Sequence, residues 1–210
     1  MGDGLTPAPA NDFGEPIAID DGTLPRTKSP TPGPIGLDAK SGSPKQTQAS
    51  MADRIVSFAR QRMRQRVGDG ECFTLVDRAL RNAGARSAAD FGTVTPDADY
   101  VWGTSVGLAD VRPGDVIQFR DYVYERETDA TNPDGSGSTD TAVQERPHHT
   151  AIVERVDGNG AITVLEQNHP GGAPVVRTQL FFTNTTRRDG NRATTITVRG
   201  SFWSYRPQQR

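Results

Sequence analysis

Apolar residues recur at helical spacing in two stretches of the first half of the chain and alternate with polar ones in much of the second. Ile55, Phe58, Ala59 and Met63 form the first stripe, with Ser50 placed to cap it and Asp53 in its first turn. Arg60, Arg62, Arg64 and Arg66 fall mostly off that stripe, on a face water can cover, and the Gly68-Asp69-Gly70 turn sets the latest end of the helix. Cys72, Leu75, Val76, Ala79, Leu80 and Ala83 form the second stripe and predict a helix over 72–83, closed by Gly84. Residues 85–112 are mixed, with Tyr100 and Trp102 as expected core anchors. Pro113-Gly114-Asp115 is a turn that launches a strand over 116–119. Strands over 150–156 and 161–165 flank Asp157-Gly158-Asn159-Gly160, a hairpin signal, and further strands are expected over 175–182, 193–198 and 202–205. Helices first and strands afterwards predict an α+β fold, N-terminal helices packed on an antiparallel β-sheet.

The first 50 residues break this pattern. They carry eight of the 15 prolines, and Phe13 is their only aromatic residue. A segment of that composition cannot bury enough apolar surface to offset its ordering entropy. It is expected to be a disordered Pro/Gly-rich arm over 1–50, with an ordered domain over 51–210 and the arm free to dock a delivery partner. Met1 to Thr6 also fits the loose myristoylation pattern, although an acidic residue follows the glycine.

Composition removes several classes of function. The arm holds six acidic and four basic residues, which leaves 20 of each over 51–210. A domain so balanced is not a nucleic-acid or membrane-surface binder driven by bulk positive charge. One cysteine excludes an intrachain disulfide framework and any multi-cysteine metal site. No apolar run reaches the length of a membrane span. The first ten residues show neither a basic nor an apolar signal region, so cytoplasmic synthesis with a non-classical route of secretion or delivery is expected.

The remaining candidates for chemistry are few. Cys72 follows a glycine turn at the start of a helix, where free N–H groups and the helix dipole favour a thiolate and suit an oxyanion. Alone, it reads more readily as a small buried hydrophobe on the inner face of the helix. The histidines add the second part. His149 begins the strand over 149–153, and a hairpin closed by Val156 and Ala161 sets Ala151 opposite Glu166, Val153 opposite Val164 and His149 opposite Asn168. His149, Glu166 and Asn168 then share one face whose other residues, Ala151, Val153, Ile162 and Val164, are apolar. A thiol nucleophile needs a base beside it, and the base needs a group that fixes its ring. Cys72, His149 and either Glu166 or Asn168 supply those roles. His148 points away from His149 and is expected to be an exposed neighbour, and His169, before Pro170, a surface turn residue.

At these residues the chain resembles the CHAP domains, cysteine, histidine-dependent amidohydrolase/peptidases of the papain-like NlpC/P60 superfamily. The matching pieces are 70–75 around Cys72, 112–119 before the sheet, 149–153 after His149, and Val164-Leu165-Glu166-Gln167-Asn168. The resemblance implies a papain-like fold over about 51–206 and catalytic Cys72, His149, Glu166 and Asn168. It also implies cleavage of an amide bond, most often in bacterial peptidoglycan, with no cofactor. Asp69 and Glu71 are the only acids in the turn where many phage members carry a calcium loop, so no metal is expected there. Competing readings keep the triad but act on another protein or a small amide, or keep only the fold as a binding module.

The long stretch over 121–147 is the other departure. Tyr122, Val123 and Tyr124 predict that the strand runs outward, with 141–146 returning beside it as a mobile polar hairpin inserted in the domain. Asp129, Asn132, Asp134 and Asp140 lack the spacing of an EF-hand loop.

Overall fold

The computed structural model describes residues 49–210, so almost all of the expected arm over 1–50 lies outside the described residues. Two helices, α1 (Met51–Arg60) and α2 (Cys72–Asn82), precede seven strands: β1 (Thr104–Val106), β2 (Val116–Thr131), β3 (Gly137–Val156), β4 (Ala161–Glu166), β5 (Val176–Phe181), β6 (Thr185–Asp189) and β7 (Arg192–Arg206). They form one antiparallel sheet in the order β1-β7-β2-β3-β4-β5, with β6 also paired to β7. This is the expected α+β architecture. Among the described residues no helix is long and apolar enough to cross a membrane.

Local chemistry explains both helices. Ser50 and Asp53 close a reciprocal capping box at the start of α1, Asp53 N–H donating to Ser50 Oγ at 3.1 Å and Ser50 N–H to Asp53 Oδ2 at 3.0 Å. The helix stops at Arg60, so Met63 is not on its stripe as expected. The backbone finds other partners there: Arg64 N–H donates to Val175 O at 2.8 Å and Val175 N–H to Gln65 O at 2.9 Å. The end of α2 is the expected glycine cap. Gly84 sits at φ 75°, Ala85 N–H reaches Leu80 O at 2.9 Å, and Gly84 N–H reaches Arg81 O at 3.1 Å.

The sheet is apolar on both faces. Val116, Ile152 and Leu165 share a cluster with Ile55, Ala59, Leu75, Val76 and Leu80 of the helices, and with Trp102. The alternate positions Ile117, Phe119, Ala151, Val153, Ile162 and Val164 join a second cluster with Leu180 and Phe182. Alternation in β2 breaks after Phe119, because Tyr122 and Tyr124 continue that same second cluster. The break lies in a kink across three strands. Pro147 in β3 has no N–H to give, Asp121 opposite it is left out of the β2–β3 ladder at φ 51°, and Gly200 of β7 sits at φ 84°.

Gly200 is required there. A Cβ at this position would lie 2.0 Å from the Asp121 carbonyl oxygen. Gly200→Ala is therefore expected to lower unfolding free energy by roughly 2–4 kcal/mol, from positive-φ strain plus the clash. Denaturant titration checks this, and a change below roughly 0.5 kcal/mol, the size of an ordinary surface substitution, would contradict it.

The outward hairpin differs from the expected one in its support. β2 and β3 pair as far as Thr131 and Gly137, but β7 also pairs with β2 out to Arg192, so the extension is part of the sheet. The strands expected over 193–198 and 202–205 are one strand bent at Gly200. The β3–β4 register matches the expected one at Val153↔Val164. It then shifts by one, so that Val156 faces Ile162 and not Ala161. Glu154 is the bulged residue, and its buried carboxylate takes Arg60 Nε at 2.6 Å as well as Arg177.

Candidate active site

The sulfur of Cys72 heads α2. The loop before it turns through Gly68 and Gly70, both at positive φ, and Glu71 leads into the first helical residue. Gln167 holds this loop against the end of β4. Its buried amide accepts from Val67 N–H at 2.9 Å and donates to Val67 O at 3.0 Å and Glu71 O at 2.7 Å. The preceding residue, Glu166, turns the other way, so two consecutive side chains tie the nucleophile's loop and the base's partner to one strand end.

His149 lies on β3 and is almost fully buried. Its Nε2 is 3.0 Å from Glu166 Oε2, within reach of a charge-assisted contact with that carboxylate. The same ring interacts with the Cys72 thiol, and both line one cleft. Burial alone would push the Cys72 thiol up. The hydrogen bond and charge of His149, with the Thr150 and Phe73 N–H groups, outweigh it and hold the thiol below its ordinary value. Burial likewise disfavours the imidazolium, but the contacts with Cys72 and Glu166 raise His149 to about 9. Lowering the thiol and raising the imidazole both favour a thiolate–imidazolium pair over the neutral pair.

Glu166 has a second partner that alternation along the strand does not predict. Arg146 donates Nε to Oε2 at 2.9 Å and Nη2 to Oε1 at 2.7 Å, and both side chains are fully buried. Burial would raise the carboxyl, but His149 and Arg146 hold it well below the usual carboxylate range. Regular alternation puts residues 146 and 149 on opposite faces. The kink at Pro147 brings them to the same carboxylate. Pro147 was the available signal, since a proline inside a strand marks a bulge or an edge.

The other expected site residues divide. Asn168 lines the same cleft as Cys72 and His149, yet its hydrogen bonds go elsewhere: Nδ2 donates to Glu71 Oε2 at 2.8 Å and Oδ1 accepts from Gly172 N–H at 2.7 Å. β4 ends at Glu166 and Asn168 stands at φ 66°, so the pairing that would put it opposite His149 is never made. Asn168 therefore does not orient the ring. His169 is half-buried, not a surface turn residue, with Nε2 2.8 Å from Arg146 Nη1. His148 is partly buried rather than exposed, its Nε2 2.8 Å from Ala98 O and its ring against Tyr100.

The thiol opens into a cleft of about 400 Å³ whose wall includes Asp69, Phe73, Pro96, Tyr100 and His148. A larger concavity of about 490 Å³ lies by Arg126, Arg187 and Ile196 and contains no nucleophile, so size alone does not mark the site.

A family model described as the AIM3/BBC1 cysteine proteinase-fold domain matches residues 45–184. The chain belongs to this family. The AIM3/BBC1 match covers two-thirds of the sequence, including Cys72, Arg146, His149 and Glu166. Its description supports the papain-like fold and does not specify the CHAP branch. Among curated proteins and solved structures nothing matches.

Proposed function

We propose that this domain is a cysteine-dependent amidohydrolase or peptidase, with Cys72 as nucleophile, His149 as acid and base, and Glu166 as the group that fixes and stabilises the imidazolium. The observation that carries this reading is the continuous contact from a thiol at the first residue of α2 through a buried imidazole to a buried carboxylate. The Cys72 thiolate attacks the amide carbonyl, and the free N–H groups of the first turn of α2 would receive the oxyanion. As the carbon–nitrogen bond breaks, His149 gives its proton to the departing amine, leaving a thioester on Cys72. His149, now neutral, takes a proton from water, whose hydroxyl adds to the thioester carbonyl. Sulfur then leaves as thiolate, and the acid is released.

The substrate is the finer part. A peptidoglycan peptide rests on the CHAP resemblance, through the pieces around Cys72, His149 and Glu166. A non-wall protein or small amide is the second reading; the family match describes the cysteine-proteinase fold and names no substrate. Mass analysis of products from wall digests separates the two.

The hydrolase reading itself is tested by thiol labelling. Iodoacetamide should alkylate Cys72 well below pH 8.5, roughly the value of a free thiol. Reaction confined to pH above about 8 would remove the reading and leave a binding module on the same fold.

A further inference from the structure

Arg146 stands within this site and has no place in the steps above. Its fork fixes both oxygens of Glu166, and the oxygen that accepts from Nε is the one 3.0 Å from His149 Nε2. Its remaining nitrogen is held from behind, Nη1 donating to Glu145 O at 2.8 Å and lying 2.8 Å from His169 Nε2. The guanidinium thus has little freedom, and neither has the carboxylate it grips. Charge balance points the same way. Thiolate, imidazolium and carboxylate together carry one negative charge in a buried place. Adding the guanidinium makes the site neutral, and it stays neutral once the proton has gone to the leaving amine and the thioester has formed.

We infer that Arg146 is a positioning residue: it locks the Glu166 carboxylate where it meets His149 and cancels the site's excess negative charge. The inference rests on the hydrolase reading above for its catalytic meaning. The titratable and charged groups facing the imidazole and the carboxylate are Cys72 from α2, Tyr122 from β2, Arg146 from β3 and His169 from the segment after β4. Taking away the guanidinium charge disfavours the thiolate and favours the imidazolium, so both titrations move to higher pH.

The test uses the full chain and three variants: Arg146→Met, Arg146→Lys, and Arg146→Met combined with Glu166→Gln. Two curves are read for each, the pH dependence of Cys72 alkylation by iodoacetamide and the titration of the His149 ring by NMR. Arg146→Met should move both curves up by about one pH unit. Arg146→Lys, which keeps the charge and loses the fork, should leave the curves near wild type and lower turnover at least several fold. The double variant leaves no buried charge unpaired, so it should fold even where Arg146→Met does not. Its curves should return towards wild type while turnover stays low. Unmoved curves in a folded Arg146→Met, or wild-type turnover in the double variant, would overturn the inference. A wild-type thiol inert at neutral pH removes the hydrolase reading instead, and the His149 titration still reads Arg146 directly.

Discussion

Replacing Cys72 with alanine is expected to end amide hydrolysis and leave the domain folded. The nucleophile supplies the covalent step, and its removal from a triad of this kind costs on the order of 10⁴-fold or more in turnover. The fold has little stake in the sulfur. Cys72 is only partly buried, at the first position of α2, and the cluster below it is built from Leu75, Val76, Ala79 and Leu80. Alanine also suits a helix. A change in unfolding free energy below about 1 kcal/mol is expected. One further effect follows from the site's electrostatics. The thiol is one of the two groups that raise His149, so the ring should titrate lower in the variant. Turnover assays and a denaturant midpoint check both halves. Retained hydrolysis would place the chemistry elsewhere.

Glu166→Gln should do the opposite to the balance between activity and stability. It slows turnover by tens of fold or more, because the imidazolium loses its counter-charge and its orienting contact. It also destabilises the fold, because Arg146 is left buried without a carboxylate, at a cost of about 3–5 kcal/mol. The pH dependence carries a sign that can be checked. Glu166 is held below its ordinary 4.5, so its contribution is complete above that value and is lost as pH falls through the depressed one. His149 is raised from 6.5 to about 9, so its contribution is complete below the first value and fades as pH climbs to the second. The stability gap between wild type and variant should therefore be widest from about pH 4.5 to 6.5 and narrow on either side. The base's kinetic pKa should fall in the variant. A gap that does not vary with pH, together with an unchanged rate profile, would remove Glu166 from its role.

Much of this arrangement is legible in the amino-acid sequence. The capping pair at Ser50 and Asp53, the glycine cap at Gly84 and the hairpin over 157–160 are local signals, settled by chemistry within a few residues. The meeting of His149 with Glu166 follows from a hairpin register that the apolar columns fix. What is not legible has a common cause, the breaking of strand periodicity by a single residue. The bulge at Glu154 shifts the pairing towards Val156. The turn at Asn168 takes a site candidate out of the sheet, and the kink at Pro147 and Asp121 brings Arg146 into it. Alternation and register carry any such error down the strand, so the pairings beyond a break shift together. The branch of the papain-like family is illegible for a different reason. The pieces around Cys72 and His149 describe chemistry shared by many branches, and the match to AIM3/BBC1 draws on the whole span of 45–184.

The segment between the two helices is sewn to residues about a hundred positions later, through Arg64 and Gln65 to Val175 and through Val67 to Gln167. Its length is therefore a fixed dimension of the machine in the engineering sense. One residue added between Met63 and Cys72 would put those bonds out of step and displace the sulfur from the imidazole. The turn over 132–136 makes no such demand, since its backbone bonds close within the turn. Variation in chain length should collect at that outer tip and be absent from the short stretch that delivers the nucleophile.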